Sequence, residues 1–248
     1  MVALYDALGV NYSVTRCTEP RIARPLYAAL AGATRIVNIG AGTGSYEPES
    51  VPLVAVEPSA TMIAQRHTNA HPVEQASAEQ LPFPDNAFSH AMTVLSMHHW
   101  TDRPRAFHEI NRVTTSRFVA ITWDPDSPPF WLTRDYFPEI HLKDQTNFPS
   151  MAELGEYFDD VEIQAIPIPA DCRDGMLTAF WKRPAAYLQP SVRQATSPFA
   201  SIERLAEGLE KLQNDLASGA WEANNKALLD KEEVDLGYRL VSATTRSV

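Results

Sequence analysis

The first place where this sequence could do chemistry is a glycine run followed, seventeen residues after Gly40, by an acid, Glu57. Asn38-Ile39-Gly40-Ala41-Gly42-Thr43-Gly44 continues directly from an apolar stretch. Glycines there let the backbone turn sharply and approach a ligand with no side chain between them. Glu57 ends the next apolar stretch, where a carboxylate can accept hydrogen bonds from both hydroxyls of a ribose. The competing reading is a structural turn beside a solvated Glu57. A dinucleotide-binding turn would carry its third glycine at position 45; Ser45 is there and the glycine falls at Gly44, which disfavours a nicotinamide cofactor. The second place is Met97-His98-His99-Trp100. An imidazole with a pKa near neutrality can move a proton, although either ring could simply cap or pack beside the helix that follows. His90, His98, His99 and His108 do not have metal-ligand spacing and no cysteine is near, so no metal is expected.

These residues need strands to hold them. Residues 35–39, 53–57, 72–76, 89–95 and 117–123 read as strands, most of them short apolar runs of the kind buried in parallel sheets. Between them, residues 20–31, a stretch from Ser59 over 60–67, and one capped by Thr101 or Asp102 read as helices. Pro25 must sit in a first turn or make a kink. Strands separated by helices call for a doubly wound, mostly parallel α/β sheet with right-handed crossovers. A helix over 151–158 and a strand over 161–167 follow. About 65 mostly helical residues come next, the clearest piece being 202–218 with Leu205, Leu209, Leu212 and Leu216 in one stripe and Gly219 as a stop. That stripe reads as core packing, with a dimer face as the alternative. A last strand is expected over 235–243. The division is a core of residues 1–167 plus 235–248, with 168–234 as a helical cap inserted before the last strand.

Composition narrows the class. The 248 residues include 31 Asp and Glu against 21 Lys and Arg, a formal charge of −10. Binding that relies on neutralising nucleic-acid phosphates is disfavoured. No apolar run is long enough for a membrane span, and the first residues lack the look of a signal peptide. Cys17 and Cys172 are the two cysteines, too few for a disulfide framework. A cytoplasmic protein, monomer or homodimer, is expected.

With these elements placed, a resemblance is evident. VNIGAGTGSYE resembles the first motif of the class I S-adenosylmethionine-dependent methyltransferases, and VAVEPSATMIAQR their second-strand motif. SAEQLPFPDNAFSHAMTVLSMHHW and AFHEINRVT resemble the later motifs of the subgroup that includes the ubiquinone/menaquinone-type enzymes. The resemblance covers roughly residues 5–165. It implies a Rossmann-like seven-stranded sheet and S-adenosyl-L-methionine as cofactor. By position, it implies Gly40, Ala41 and Gly42 under the methionine part of that cofactor and Glu57 on the ribose hydroxyls. It also implies Pro58 and Met62 flanking the adenine, Ser77, Ala78 and Glu79 at the adenine edge, and Leu95 and Ser96 beside the sulfonium. Tyr12 and Arg16 suit an N-terminal segment closing over the cofactor, with Arg16 pairing the methionine carboxylate; an ordinary packed tyrosine and a surface arginine are the alternative. Two departures stand out: the segment from Gly44 to Leu53 leaves room for a first helix of only about two turns, crowded by Pro48 and Pro52, and Thr115-Ser116-Arg117 replaces the family's Pro-Gly-Gly.

Methyl transfer asks the protein mainly to align a nucleophile with the S–CH3 bond and exclude water. If the acceptor must lose a proton, His98 or His99 is the candidate base, with Tyr12 as a possible partner. Trp100, Phe130, Trp131, Tyr136, Phe180 and Trp181 are candidates to line a small-molecule acceptor pocket, with Phe137 and Met176 nearby; equally, they could glue the inserted helices to the core. The leading expectation is methylation of a small organic molecule, in specialised metabolism. The alternative is an S-adenosylmethionine-binding protein that does not methylate: a regulatory module, or an enzyme that cyclises or cleaves the cofactor.

Overall fold

The computed structural model describes residues 15–194 and 196–246. Its centre is a seven-stranded sheet in the order β3-β2-β1-β4-β5-β9-β6. The strands are β1 Ile36–Ile39, β2 Leu53–Val56, β3 Val73–Glu74, β4 Phe88–Val94, β5 Thr114–Trp123, β6 Asp159–Ala165 and β9 Tyr238–Thr244. β1 through β5 pair in parallel, whereas β9 runs antiparallel to both β5 and β6. A separate two-stranded ribbon, β7 Ile168–Pro169 with β8 Glu233–Val234, closes the base of the insertion and was not legible as periodicity because each strand has two residues.

Alternate residues of the central strands face opposite layers, as a period of two requires. Ile36, Val119 and Leu240 join one core, and their neighbours Val37, Ala120 and Val241 join the other. The second core is closed by α3 (Arg103–Val113), which contributes Phe107 and Ile110, and by Phe158. The first is covered by α1 (Pro20–Ala29), with Pro25 inside it, through Ile22 and Leu26.

The expected short helix between Gly44 and Leu53 does not form; that segment is a series of turns. Gly40, Gly42 and Gly44 all have positive φ, as does Tyr46 at 65°, and Pro48 and Pro52 each lack a backbone N–H for a helical ladder. Side chains brace the turns instead. Arg66 and Glu47, both nearly buried, pair at 2.8 Å; Glu47 also accepts a hydrogen bond from Asn38, and Arg66 donates to the carbonyl of Gly42. Tyr46 and Ile166 pack in the first core with Ile168, Cys172, Met176 and Trp181 of the insertion.

Helix caps follow the side-chain chemistry. Ser59 caps α2 (Ala60–Ala64) by accepting from the N–H of Met62, and Asp102 caps α3 by accepting from that of Arg105. α3 passes into β5 at Thr114 without a loop, so β5 begins three residues before its expected start and Thr115-Ser116-Arg117 lies within the strand. The proline- and aromatic-rich stretch after β5 folds into α4 (Trp131–Asp135) and α5 (Pro138–Asn147), which precede α6 (Met151–Tyr157). α7 (Pro190–Gln194) leads on to α8 (Leu205–Ser218), which ends at Gly219 with φ 78°. Leu205, Leu209, Leu212 and Leu216 of α8 pack with Trp131, Phe137, Tyr187, Phe199 and Trp221 in a third apolar cluster. The leucine stripe is thus spent on internal packing.

Candidate active site

The carboxyl ends of β1, β2 and β4 meet where the strand order reverses, with β1 between β2 and β4. Open α/β sheets bind ligands in such a crevice. A cavity of about 600 Å³ occupies it. Arg16, Gly40, Ala41, Gly42, Glu57, Pro58, Met62, Ser77, Ala78, Glu79, Leu95 and Ser96 all line this one space, joined by His99 and Trp100. Tyr12 lies outside the described residues.

Glu57 is 6% exposed and held from two sides. Its carboxylate accepts from the backbone N–H of Gly42 at 2.8 Å through one oxygen and from that of Ser59 at 2.9 Å through the other. Each carboxylate oxygen retains lone-pair capacity for a ligand hydroxyl. The glycine turn is close-fitting. A Cβ on Gly40, φ 68°, would stand 2.4 Å from the hydroxyl of Ser96, and one on Gly42, φ 55°, would stand 3.3 Å from the terminal methyl of Met62. Leu95 itself has φ 51°, a conformation that costs a non-glycine residue about 1–3 kcal/mol. Its N–H reaches the carbonyl of Ile121 at 2.8 Å. The hydroxyls of Ser96 and Thr93 stand 2.6 Å apart and 3.1 and 2.8 Å from the carbonyl of Ile39; one donates to the carbonyl and the other to its neighbour, tying the ends of β4 and β1 together.

The loop carrying Ser77, Ala78 and Glu79 is secured to α3. Glu79 accepts from the N–H and hydroxyl of Thr101. Arg112 reaches the carbonyls of Leu81 and Phe83 while pairing with Glu109 and Asp85. The side chain of Glu79 therefore braces the rim of the cavity.

Arg16 does not present a free guanidinium. It pairs in a fork with Asp174, Nε to Oδ1 at 2.5 Å and Nη2 to Oδ2 at 3.2 Å. Asp174 is fully buried and accepts a third hydrogen bond, from the Tyr46 hydroxyl at 2.9 Å. Asn38, Tyr46 and Asp174 have no place among the sequence candidates. Asn38 and Tyr46 line the cavity and lie in or beside the glycine motif, but Asp174 is 158 residues from Arg16, a pairing that no local pattern reveals.

A second, smaller cavity of about 70 Å³ abuts the first and shares Arg16 and Leu95 with it. Phe130, Phe148, Trp123, Met176 and Tyr238 form part of its apolar wall, and His98, His141 and Asp144 its polar points. The rings of His98 and His99 are in tilted contact at 3.8 Å, one lining each cavity, and His98 stacks on Phe148 at 4.2 Å. Burial pushes the His98 imidazole well below its usual range, helped by His99 and the Arg16 charge. Burial, with Lys143 and Arg16, takes His99 down to about 4.

Of the candidate acceptor residues, Phe130 alone lines the second cavity, and Trp100 lines the first. Trp131, Tyr136, Phe180 and Trp181 line neither. Trp131 donates its indole N–H to the carbonyl of Trp181, and Trp181 donates to that of Ile168; both rings are interior. Tyr136 hydrogen-bonds Asp215, and Phe180 lies under the guanidinium of Arg183. Their large apolar faces are consumed in packing the insertion onto the sheet.

Comparison with known proteins agrees with this geometry. A methyltransferase domain model matches residues 37–118. A putative methyltransferase from an antibiotic biosynthesis pathway of Anabaena variabilis superposes with a TM-score of 0.84 at 30% identity, over 93% of this chain and 99% of that one. A chloroplastic 2-methyl-6-phytyl-1,4-hydroquinone methyltransferase of Oryza sativa is 31% identical over 134 residues, 50% of this chain and 37% of the rice protein. Geranyl diphosphate C-methyltransferase from Streptomyces coelicolor shares the fold, with a TM-score of 0.51 at 15% identity over 90% of this chain and 75% of that one. The chain spans about two fifths of the length of its curated plant relatives. It belongs to the class I S-adenosylmethionine-dependent methyltransferases.

Proposed function

We propose that this protein transfers a methyl group from S-adenosyl-L-methionine to a small organic acceptor held in the second cavity. The observation that carries the reading is the junction of the two cavities at Leu95 and Arg16, at the end of β4. When bound, the cofactor supplies an electrophilic methyl on a positively charged sulfur. Glu57 holds the ribose, the turn from Gly40 to Gly42 lets the chain approach the methionine portion, and Met62 and Pro58 flank the base. Leu95 and Ser96 then set where the sulfonium can lie.

In-line displacement needs an acceptor on the far side of that methyl and little water. The second cavity, lined by residues of α4 and α5 and by residues 176–178, would take that acceptor. In this reading residues 168–234 serve as the cap, sharing the work with 130–148. His98 and His99 are neutral near pH 7, and His98, the ring on the second cavity, offers the acceptor a lone pair. Burial and the Arg16 charge oppose storing a proton on either ring, so His98 would orient the acceptor by accepting a hydrogen bond from its proton rather than by taking it. The antibiotic-pathway relative supports an acceptor from specialised metabolism, and the hydroquinone relative supports an aromatic one.

The alternative is a protein that binds the cofactor without methylating. Incubation of the purified protein with methyl-labelled S-adenosylmethionine and a metabolite extract separates the two. Label in a new small molecule supports methyl transfer. Methylthioadenosine, or intact cofactor with no labelled product, rejects it.

A further inference from the structure

The second cavity holds a single carboxyl group. Asp144 and His141 stand three residues apart on α5, on one face of the helix, and both line the cavity. Among the described residues, no hydrogen bond or ion pair holds the Asp144 carboxyl. Burial pushes it up to about 7, against the opposing charge of Lys143. A second polar atom at the same cavity is also left over: Nδ1 of His98 is shut off from solvent and has no hydrogen-bond partner. The buried Nδ1 of His98 is costly unless a ligand completes it, and Asp144, half-buried, turns an unpaired carboxyl to the same apolar space. Elsewhere in the chain, buried carboxylates are paired: Glu57 with two backbone N–H groups, Asp174 with Arg16 and Tyr46, Glu47 with Arg66.

We propose that Asp144 selects the acceptor, accepting a hydrogen bond from a hydroxyl group carried on a slender, single-ring apolar molecule. The assignment rests on the second cavity being the acceptor site. A hydroxyl suits it better than an ammonium group. Arg16 already brings a cation to this cavity, Lys143 immediately precedes Asp144 on the same helix, and a half-protonated carboxyl holds little fixed charge for another. A hydroxyl can donate to the ionised carboxylate or exchange hydrogen bonds with the neutral acid. Phe130, Phe148 and Trp123 are the aromatic faces against which such a ring would pack.

Calorimetry on the full chain saturated with S-adenosylhomocysteine tests this with p-cresol, 4-methylanisole and 4-methylbenzylamine as probes. p-Cresol is expected to bind at least tenfold more tightly than 4-methylanisole. Asp144→Leu should bring p-cresol down to the level of the ether while leaving the ether within twofold, and Asp144→Glu should restore part of the preference. A variant that merely disturbs the pocket would weaken both probes together and overturn the assignment. So would equal binding of cresol and ether by the native protein, no binding of either, tighter binding of the amine, or a preference that survives Asp144→Leu. Uptake of S-adenosylhomocysteine is read in the same experiment. If it binds normally and the hydroxyl preference is absent, only the role of Asp144 fails; if it does not bind, the cofactor reading fails and this assignment falls with it.

Discussion

Glu57 reaches back from the end of β2 to the glycine turn after β1, accepting the N–H of Gly42 at 2.8 Å. The acid that would hold the ribose therefore also shapes the turn that would receive the rest of the nucleoside. One side chain sets both the charge and the backbone of the crevice, so its loss has two separable consequences.

Glu57→Ala is expected to weaken S-adenosylhomocysteine binding by roughly 1.5–3 kcal/mol, the worth of hydrogen bonds to a charged group. It should also lower stability by about 1–3 kcal/mol, because the N–H groups of Gly42 and Ser59 lose their acceptor. Calorimetry reads the first and urea unfolding the second. Unchanged affinity would remove the ribose assignment.

Gly40→Ala should destabilise the fold and impair cofactor binding. The new methyl group would sit 2.4 Å from the Ser96 hydroxyl with φ at 68°. Ser96→Gly in the same chain removes the clash but not the backbone strain, so the double variant should recover part of the loss and retain a deficit of roughly 1 kcal/mol. Full recovery in thermal unfolding would show that the positive φ is unimportant.

The Arg16–Asp174 pair is nearly dry, with side chains 13% and 0% exposed. Arg16→Met leaves Asp174 with only the Tyr46 hydroxyl and is expected to cost about 3–5 kcal/mol, the usual penalty for orphaning one member of a buried pair. Adding Asp174→Asn should restore much of it, because the uncompensated charge is then gone. A double-mutant cycle by urea unfolding measures the coupling; independent effects would contradict the pairing.

His99 makes stability depend on pH with a definite sign. Its folded value, about 4, lies below the ordinary imidazole value of about 6.5, so the unfolded chain binds more protons between those limits. Its contribution is present above pH 6.5 and is lost as pH falls towards 4, by at most about 3 kcal/mol and less to the extent that solvent screens the ring. His99→Gln should flatten the fall in unfolding free energy over that window. His98→Ala and His99→Ala should leave S-adenosylhomocysteine affinity nearly intact and reduce turnover once an acceptor is known. Full turnover in both variants would show that the ring nitrogens take no part.

The cofactor side of this protein was legible in the chain because it is local. Gly40 to Gly44, Glu57, Met62 and the 77–79 loop sit at the ends of consecutive strands, and parallel pairing of β1 with β2 and β4 brings them into one crevice without further information. The second cavity depends on contacts between distant segments. Asp144, His141, Phe148 and Trp123 come from α5, the residue after it and the end of β5, and meet Met176 and Tyr238 only once the insertion has folded back on the sheet. An aromatic residue looks the same in sequence whether it packs a cap or lines a pocket, which is why Trp131 and Trp181 are interior while Phe130 faces the cavity. The turn after β1 shows the same division. Its glycines and prolines disfavour a long helix, but that no helix forms, and that Arg66 braces the turns while Tyr46 packs with the insertion, was decided by tertiary packing. Local sequence determined where the nucleoside would sit; long-range packing, which periodicity does not encode, decided what stands opposite it.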